Sequence, residues 1–178
     1  TTYSWTGPNS FSSNSATPSI SLATPAATGT YSVDVGDANS CHTISTINAT
    51  VNANPVPVLG SNSPICDGFA LNLTASGGTT YSWTGPNSFT SNQQNPVIAS
   101  ASPLANGVYT VDVGDANNCH TTSTLSATVN PNPTPVISPM GPTTFCEGGS
   151  VLLDGGTYSQ YQWNTTPTQS TSTINVSV

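Results

Sequence analysis

The stretch "GVYTVDVGDANNCHTTSTLSATV" at residues 107–129 decides how this chain folds. Tyr109, Val111 and Val113 alternate with other residues, and this period of two predicts a strand with one buried face. Gly114-Asp115-Ala116-Asn117 comes next, and Gly, Asp and Asn tolerate the backbone angles that a tight turn needs. A last strand is marked by Leu125, Ala127 and Val129. The stretch therefore predicts two strands joined by a hairpin turn.

The same stretch occurs earlier in the chain. "YSVDVGDANSCHTISTINATVNANPVPV" at residues 31–58 is identical to residues 109–136 at 21 of 28 positions. "TTYSWTGPNSF" at residues 1–11 returns unchanged at residues 79–89, which is the same offset along the chain. Self-similarity at a fixed period indicates a tandem array of one structural unit. A third, more diverged copy is seen at residues 145–165, which correspond to residues 65–85 at a slightly longer offset.

Two Pro-rich joints set the boundaries of the repeats. "NPVP" at residues 54–57 and "NPTP" at residues 132–135 are expected to be extended linkers. We therefore expect a complete repeat at residues 54–131. Residues 1–53 are expected to be the C-terminal part of one repeat, and residues 132–178 the N-terminal part of a third, as in a window cut from a longer array.

Alternation places further strands in the complete repeat. Phe69, Leu71, Leu73 and Ala75 are predicted to point to one side of a strand that ends at Gly77-Gly78. Other strands are expected at residues 56–59, 79–83 and 97–100. About seven short strands between Gly- and Pro-rich turns predict an all-β protein, and an immunoglobulin-like sandwich in particular.

The aromatic residues match this fold. Trp83 falls where an immunoglobulin-like sandwich has its core Trp, and Trp5 and Trp163 repeat it. Tyr109 follows a Gly near the start of the sixth strand, at the position of a tyrosine corner, and Tyr31 repeats it. Core packing is the main expectation for these rings, and carbohydrate stacking on exposed Tyr or Trp is the alternative. The predicted fold is a series of tandem immunoglobulin-like β-sandwich repeats of about 78–80 residues.

Composition excludes several classes of partner. The chain has 7 acidic residues and no Lys or Arg, so its formal net charge is −7. Without Lys or Arg it offers no cation to a phosphate backbone, which removes the main contribution to nucleic-acid affinity, and it has no basic patch for anionic membranes. No apolar run approaches the roughly 18 residues of a membrane span, so membrane insertion is not expected. Four Cys in such a chain favour an oxidising, extracellular setting.

Taken together, the motifs resemble a known group of proteins. "C-[DE]-G" before a strand, "YSW" or "YQW", "G-x-Y-x-V-x-V" and "DANxC" are similar to the Ig-like and SprB-type repeats of giant surface proteins in Bacteroidetes. The resemblance covers the whole chain and implies secretion by the type IX system and a role as a gliding adhesin or surface fibre. One departure is Asn118, where Gly is usual before the Cys, and Asn also tolerates left-handed geometry.

The four cysteines allow two disulfide patterns. Cys66 and Cys146 precede the second strand of a repeat, and Cys41 and Cys119 follow the hairpin. One pattern is a bond within the repeat, from Cys66 to Cys119. The other is a bond from each Cys to a neighbouring repeat, because five intervening strands place Cys66 and Cys119 at opposite ends, roughly 20 Å apart, whereas a disulfide needs Cα atoms within about 7 Å. Both patterns remain open at this point.

Catalysis is not expected. Cys119-His120 and Cys41-His42 resemble a nucleophile and its base, but adjacent residues of a strand point to opposite faces. The same pairs lack the second cluster of ligands that a zinc site needs. No enzyme activity and no cofactor are therefore predicted.

The hairpin carries candidate oxygen ligands for Ca²⁺. Asp112, Asp115 and Asn117 surround the turn, and Asp34 and Asp37 repeat the arrangement. Hard oxygen ligands of this kind suit Ca²⁺. Alternation separates Asp112 from Asp115, however, and Asp-Ala-Asn is a good turn sequence on its own. Turn formation is the main expectation and Ca²⁺ binding the alternative.

Two functions are consistent with the repeats. The first is a structural module of an extracellular filament or surface stalk, whose partners are neighbouring repeats and copies lying side by side. The second is an adhesin whose repeats bind glycan or another surface, so that weak affinities multiply. Residues 12–28 and 90–106 differ far more than their flanks. In a spacer the sequence of this loop can vary because nothing depends on it. In a binder the sequence varies because different copies contact different surfaces.

Overall fold

The computed structural model describes residues 1–177, and its regular structure is almost entirely β. Two short 3-10 helices, Pro25–Ala27 and Pro103–Ala105, are the helical elements of the described residues. The chain divides into two compact units, one of Thr1–Pro131 and one that begins at Asn132. Val178, the last residue of the predicted third repeat, lies outside the described residues. The strands are β1 Thr2–Gly7, β2 Phe11–Ser13, β3 Gly29–Gly36, β4 His42–Ala49, β5 Val58–Ser61, β6 Ile65–Cys66, β7 Leu71–Ser76, β8 Thr80–Gly85, β9 Phe89–Ser91, β10 Val97–Ile98, β11 Gly107–Gly114, β12 His120–Ala127, β13 Val129–Asn130, β14 Ser138–Pro139, β15 Ser150–Asp154 and β16 Thr173–Ser177.

Residues 54–131 form an immunoglobulin-like β-sandwich. One antiparallel sheet has the order β10-β7-β5, and the other has the order β12-β11-β8-β9. The short strand β6 pairs in parallel with β13, the last strand of the repeat. The predicted all-β sandwich is confirmed.

The core lies between these two sheets. On β7, Leu71 and Leu73 are fully buried, while Asn72 and Thr74, which alternate with them, face solvent. The two leucines belong to one cluster with Val111 and Trp83 of the opposite sheet. Full burial of one such side chain stabilises the fold by about 1.5–3 kcal/mol. The period-two pattern of the sequence is therefore the pattern of the core.

Residues 1–53 build a sheet with the order β2-β1-β3-β4. Its register follows that of the later sheet, with each pair shifted along the chain by the offset of the sequence repeat. Tyr31 lies opposite Ile47, as Tyr109 lies opposite Leu125. The sequence repeat is thus also a repeat of strand pairing.

The second unit contains one antiparallel sheet of order β14-β15-β16. Ser138 lies opposite Asp154, as Gly60 lies opposite Thr74 in the complete repeat. Val151 and Ile174 are the buried hydrophobic residues of this unit among the residues described. The pairing of β14 with β15 therefore resembles that of β5 with β7.

Three details differ from the sequence predictions. Phe69, expected on the inner face of β7, is 65% exposed. Its N–H bonds to the Cys66 carbonyl in a turn, so the alternation begins only at Leu71. The strand predicted at residues 97–100 is limited to Val97–Ile98, and the last strand is divided into β12 and β13.

Candidate functional site

The β-hairpin turns are held by an aspartate side chain. Asp115 Oδ1 accepts the N–H of Asn117 at 2.8 Å and that of Cys119 at 2.9 Å. Asp37 makes the same two bonds to Asn39 and Cys41. The Cys119 N–H, and after it the Asn117 N–H, hold the pKa of Asp115 below its ordinary value, because these bonds favour the carboxylate. The predicted turn is confirmed, and the Asp115 carboxylate helps to hold it together.

A histidine and an aspartate meet across each hairpin. His120 Nδ1 lies 3.0 Å from Asp112 Oδ2, and His42 Nδ1 lies 3.1 Å from Asp34 Oδ1. In the sequence each His stands out only beside its adjacent Cys, and these pairs were not predicted. The signal was available in the hairpin register, because Asp112 and His120 are close neighbours on one face once the turn is centred on residues 115–118.

The predicted Ca²⁺ ligands do not converge. Asp112 is paired with His120, while the Asp115 carboxylate turns back onto backbone N–H groups. Asn117 takes part in the turn through its backbone N–H. Within residues 1–177, no group of three or more His, Cys, Asp or Glu side chains could hold a metal ion. Asp34 and Asp37 repeat this separation.

The tyrosine corner is formed twice. The Tyr109 hydroxyl donates to the Ala105 carbonyl at 2.9 Å, and the Tyr31 hydroxyl donates to the Ala27 carbonyl at 2.7 Å. Each Tyr ring meets a Phe ring edge-on at 5.5 Å between centroids. Burial raises the pKa of Tyr109. The tyrosine corner ties each short 3-10 helix to the strand that follows it.

The three Trp residues have different surroundings. Trp83 is 1% exposed and lies in the core of the complete repeat. Trp5 and Trp163, also predicted as core residues, are only half-buried. Each donates its Nε1–H to a backbone carbonyl, of Ser15 and Thr171 respectively. The difference between Trp83 and Trp5 has a physical cause, since the sheet that covers Trp83 through β7 has no counterpart in residues 1–53.

An aromatic groove of about 630 Å³ lies in the second unit. Tyr158, Tyr161 and Trp163 line it together with Pro133 and Pro135. Tyr161 donates its hydroxyl to the Gly156 carbonyl, which holds its ring in place. Apolar rings beside the amides of Gln160 and Gln162 are suited to the faces and hydroxyls of a sugar.

All four cysteines are free thiols in this structure. Cys66 lies opposite Asn130 at one end of the sandwich. Cys119 lies at the other end, directly before β12. The eight residues of β12 span about 25 Å of extended chain. A Cys66–Cys119 bond within the repeat needs Cα atoms within about 7 Å, and the fold holds these residues much farther apart.

Comparisons with known proteins give no family. No protein-family model and no curated protein matches the chain. An amphioxus IgVJ-C2 structure is 14% identical, with a TM-score of 0.39 over 71% of this chain and 88% of that one. Murine CEACAM1b is 13% identical, with a TM-score of 0.36 over 72% and 85%. The three N-terminal domains of the bacteriophage RB49 outer capsid protein Hoc are 18% identical, with a TM-score of 0.37 over 99% and 59%.

These likenesses carry nothing about function. The immunoglobulin-like fold rests on the two sheets and the core of residues 54–131. None of the helices in residues 1–177 is long and apolar enough to cross a membrane.

Proposed function

We propose that this chain is a non-catalytic structural repeat of an extracellular filament or surface stalk. The observation that carries the proposal is that one sheet is built twice. Trp5 lies opposite Val33 and Trp83 lies opposite Val111, so the repeat extends from sequence to strand register. A spacer needs units that fold alike, and tandem copies of one module meet that need.

Composition and motifs support an outer-surface location. The chain has no Lys or Arg, so trypsin-like proteases find no cleavage site in it. Four cysteines favour an oxidising compartment. The resemblance to SprB-type repeats of Bacteroidetes supports secretion by the type IX system. The partners of this chain are then neighbouring repeats and copies of the chain lying side by side.

Electron microscopy of the native material tests this proposal. Ordered filaments of uniform width, with an axial repeat of one module or a small multiple, are expected for a fibre-forming repeat. Thin strings that end in a distinct knob are expected for a stalk. Compact particles without any axial repeat contradict both forms of the proposal.

An adhesin is the second candidate, and the variable loop favours it. Residues 12–28 and 90–106 differ far more than their flanks. Each exposes a leucine, Leu22 at 96% and Leu104 at 70%. Exposed apolar side chains on a loop that varies between copies are suited to contact with a partner surface.

A loop exchange separates the two functions. Residues 90–106 are replaced by residues 12–28, which occupy the same place in the earlier copy. An adhesin changes its pattern on a glycan array when the loop is exchanged. A spacer binds no glycan with either segment. The exchange also removes β10 and the buried Ala101 from the sandwich, so a lower melting temperature is expected for either function.

A further inference from the structure

We propose that the cysteines of this chain form disulfides between repeats, in which a strand-start cysteine of one repeat joins a hairpin cysteine of another. The strand-start cysteines are Cys66 and Cys146, and the hairpin cysteines are Cys41 and Cys119. The inference does not depend on the proposed function. Neither a spacer nor an adhesin requires disulfides, so either function is compatible with free thiols.

The strand-start cysteine lies at the trailing end of the repeat, where the chain leaves it. Cys66 on β6 lies opposite Asn130 on β13. The next residue, Asp67, donates its N–H to the Asn130 carbonyl at 2.8 Å. The linker at residues 132–135 begins two residues after Asn130. Cys66 is exposed there.

The hairpin cysteine lies at the leading end, where the chain enters the repeat. A Cβ added to Gly77 would meet the Val56 carbonyl at 2.1 Å, so the incoming linker lies against this turn. The neighbouring Thr79 donates its N–H to the Gly114 carbonyl at 2.8 Å. Gly114 is the last residue of β11, directly before the turn that leads to Cys119. The incoming linker and the hairpin are therefore at the same end of the sandwich.

The two ends exclude a bond within a repeat and favour a bond between repeats. Cys66 and Cys119 are separated by the length of β12, about 25 Å. In a tandem array the trailing end of each repeat is followed covalently by the leading end of the next. That connection raises the effective concentration of a strand-start thiol near a hairpin thiol, not near another thiol of its own kind.

The chemistry is an ordinary thiol oxidation. One thiolate attacks a disulfide-bearing oxidant and forms a mixed disulfide, and the second thiolate then displaces the oxidant's remaining thiol. One S–S bond forms, the two cysteines lose two protons and two electrons, and the oxidant is reduced to two thiols. Oxidised glutathione supplies this oxidant in the experiment below.

Two variants of the full 178-residue chain test the pairing in trans. One carries Cys41→Ser and Cys119→Ser and keeps only strand-start thiols. The other carries Cys66→Ser and Cys146→Ser and keeps only hairpin thiols. Ser is nearly the same size as Cys, and circular dichroism checks that both variants fold. Salt near 0.15 M screens the acidic residues beside the thiols, Asp67 and Asp115.

Mixed dimers are expected when the two variants are oxidised together. They should form several times faster than either variant dimerises alone, because a trailing end meets a leading end in the array and two ends of one kind do not meet. Non-reducing gels give the rates. Mass spectrometry after Asp-N and chymotrypsin cleavage identifies the joined cysteines, because the chain offers no tryptic site.

Three results overturn the proposal. The first is a monomeric wild-type chain with a Cys66–Cys119 bond. The second is self-dimerisation of either variant as fast as mixed dimerisation, and the third is the absence of mixed dimers. None of these results removes the axial repeat that tests the proposed function, so the two proposals fail separately.

Discussion

At the scale of single residues, the Tyr109 hydroxyl connects the core to the loop before it. The ring is fully buried, and the hydroxyl donates to the Ala105 carbonyl at 2.9 Å. The ring also lies against Gly85, where an added Cβ would be 2.4 Å from Tyr109 Cδ1. The position therefore requires both the ring and a neighbour without a side chain. Gly7 and Tyr31 repeat this contact.

Tyr109→Phe is expected to lower the free energy of unfolding by about 1–2 kcal/mol, because it removes one buried hydrogen bond and leaves the Ala105 carbonyl without its donor. Urea denaturation at pH 7 measures this loss. Tyr158→Phe is the control, because the Tyr158 hydroxyl bonds to a backbone carbonyl at an exposed site. Equal losses for the two variants would contradict the assignment.

The same hydroxyl predicts an alkaline dependence of stability. Burial raises the pKa of Tyr109 above its ordinary value, so the folded state favours the neutral phenol. Its contribution is fully present below about pH 10, the pKa of an unfolded Tyr, and is lost as pH rises through the folded pKa. Urea midpoints at rising alkaline pH should therefore fall less steeply for Tyr109→Phe than for the wild type. Parallel curves would show that Tyr109 does not cause the dependence.

At the scale of elements, the hairpin depends on hydrogen bonds within its turn, whereas the core depends on the packing of one sheet on the other. Asp115 and Asp37 accept two N–H bonds each, and this arrangement depends only on residues close in sequence. Burial of Trp83 depends on β7, which lies in the opposite sheet and packs against it. Local and distant contacts thus predict different responses to substitution.

The turn aspartates predict an acid dependence. N–H bonds from Cys119 and Cys41 hold the pKa of Asp115 and Asp37 below their ordinary value. Such groups stabilise the fold above about pH 4, the pKa of an unfolded Asp, and this stability is lost as pH falls through the lower, folded pKa. Asp37→Asn with Asp115→Asn keeps an acceptor oxygen and should flatten the decrease in melting temperature between pH 5 and pH 2. An unchanged decrease would assign it to other carboxylates.

The two identical eleven-residue segments offer a matched test of packing. Trp83→Ala is expected to cost about 3–5 kcal/mol in the free energy of unfolding, because it opens a cavity in a closed core. Trp5→Ala should cost clearly less, because Trp5 has the same neighbours in sequence but is only half-buried. Guanidinium denaturation followed by circular dichroism compares the two. Equal costs would mean that the local segment, and not the covering sheet, determines the contribution of the Trp.

At the scale of the whole molecule, the absence of cations determines how copies meet. The net charge is −7 with both His neutral, and within residues 1–177 a base meets a carboxylate at the two His–Asp contacts. Copies therefore repel one another through unscreened carboxylates, although the number of charges is small.

Side-by-side association is consequently expected to increase with salt and near the sequence pI of about 4.1. Static light scattering between 10 mM and 500 mM NaCl at pH 7 measures it. Association that weakens as salt is added would contradict this prediction, because it would mean that attraction between charges, and not screened repulsion, controls how the copies associate.

Sequence reasoning succeeded where the cause is local. The alternation at Tyr109, Val111 and Val113, the turn at Asp115 and the tyrosine corner each depend on residues close along the chain, and the structure has all three. It was wrong about Phe69, because a turn at Cys66 rotates that side chain outward before the strand begins. It missed the pairing of His120 with Asp112, which depends on hairpin register.

By itself the sequence determined the period of the repeat, the strands of each copy and the missing cations, since these follow from residue order and composition. Only the tertiary structure decided which Trp is buried and that the strand of Cys66 pairs with the last strand of the repeat, at Asn130. The reason is that burial and the distance between residues far apart in sequence depend on how two sheets pack. The same eleven residues therefore hold a buried Trp83 in one repeat and a half-exposed Trp5 in the other.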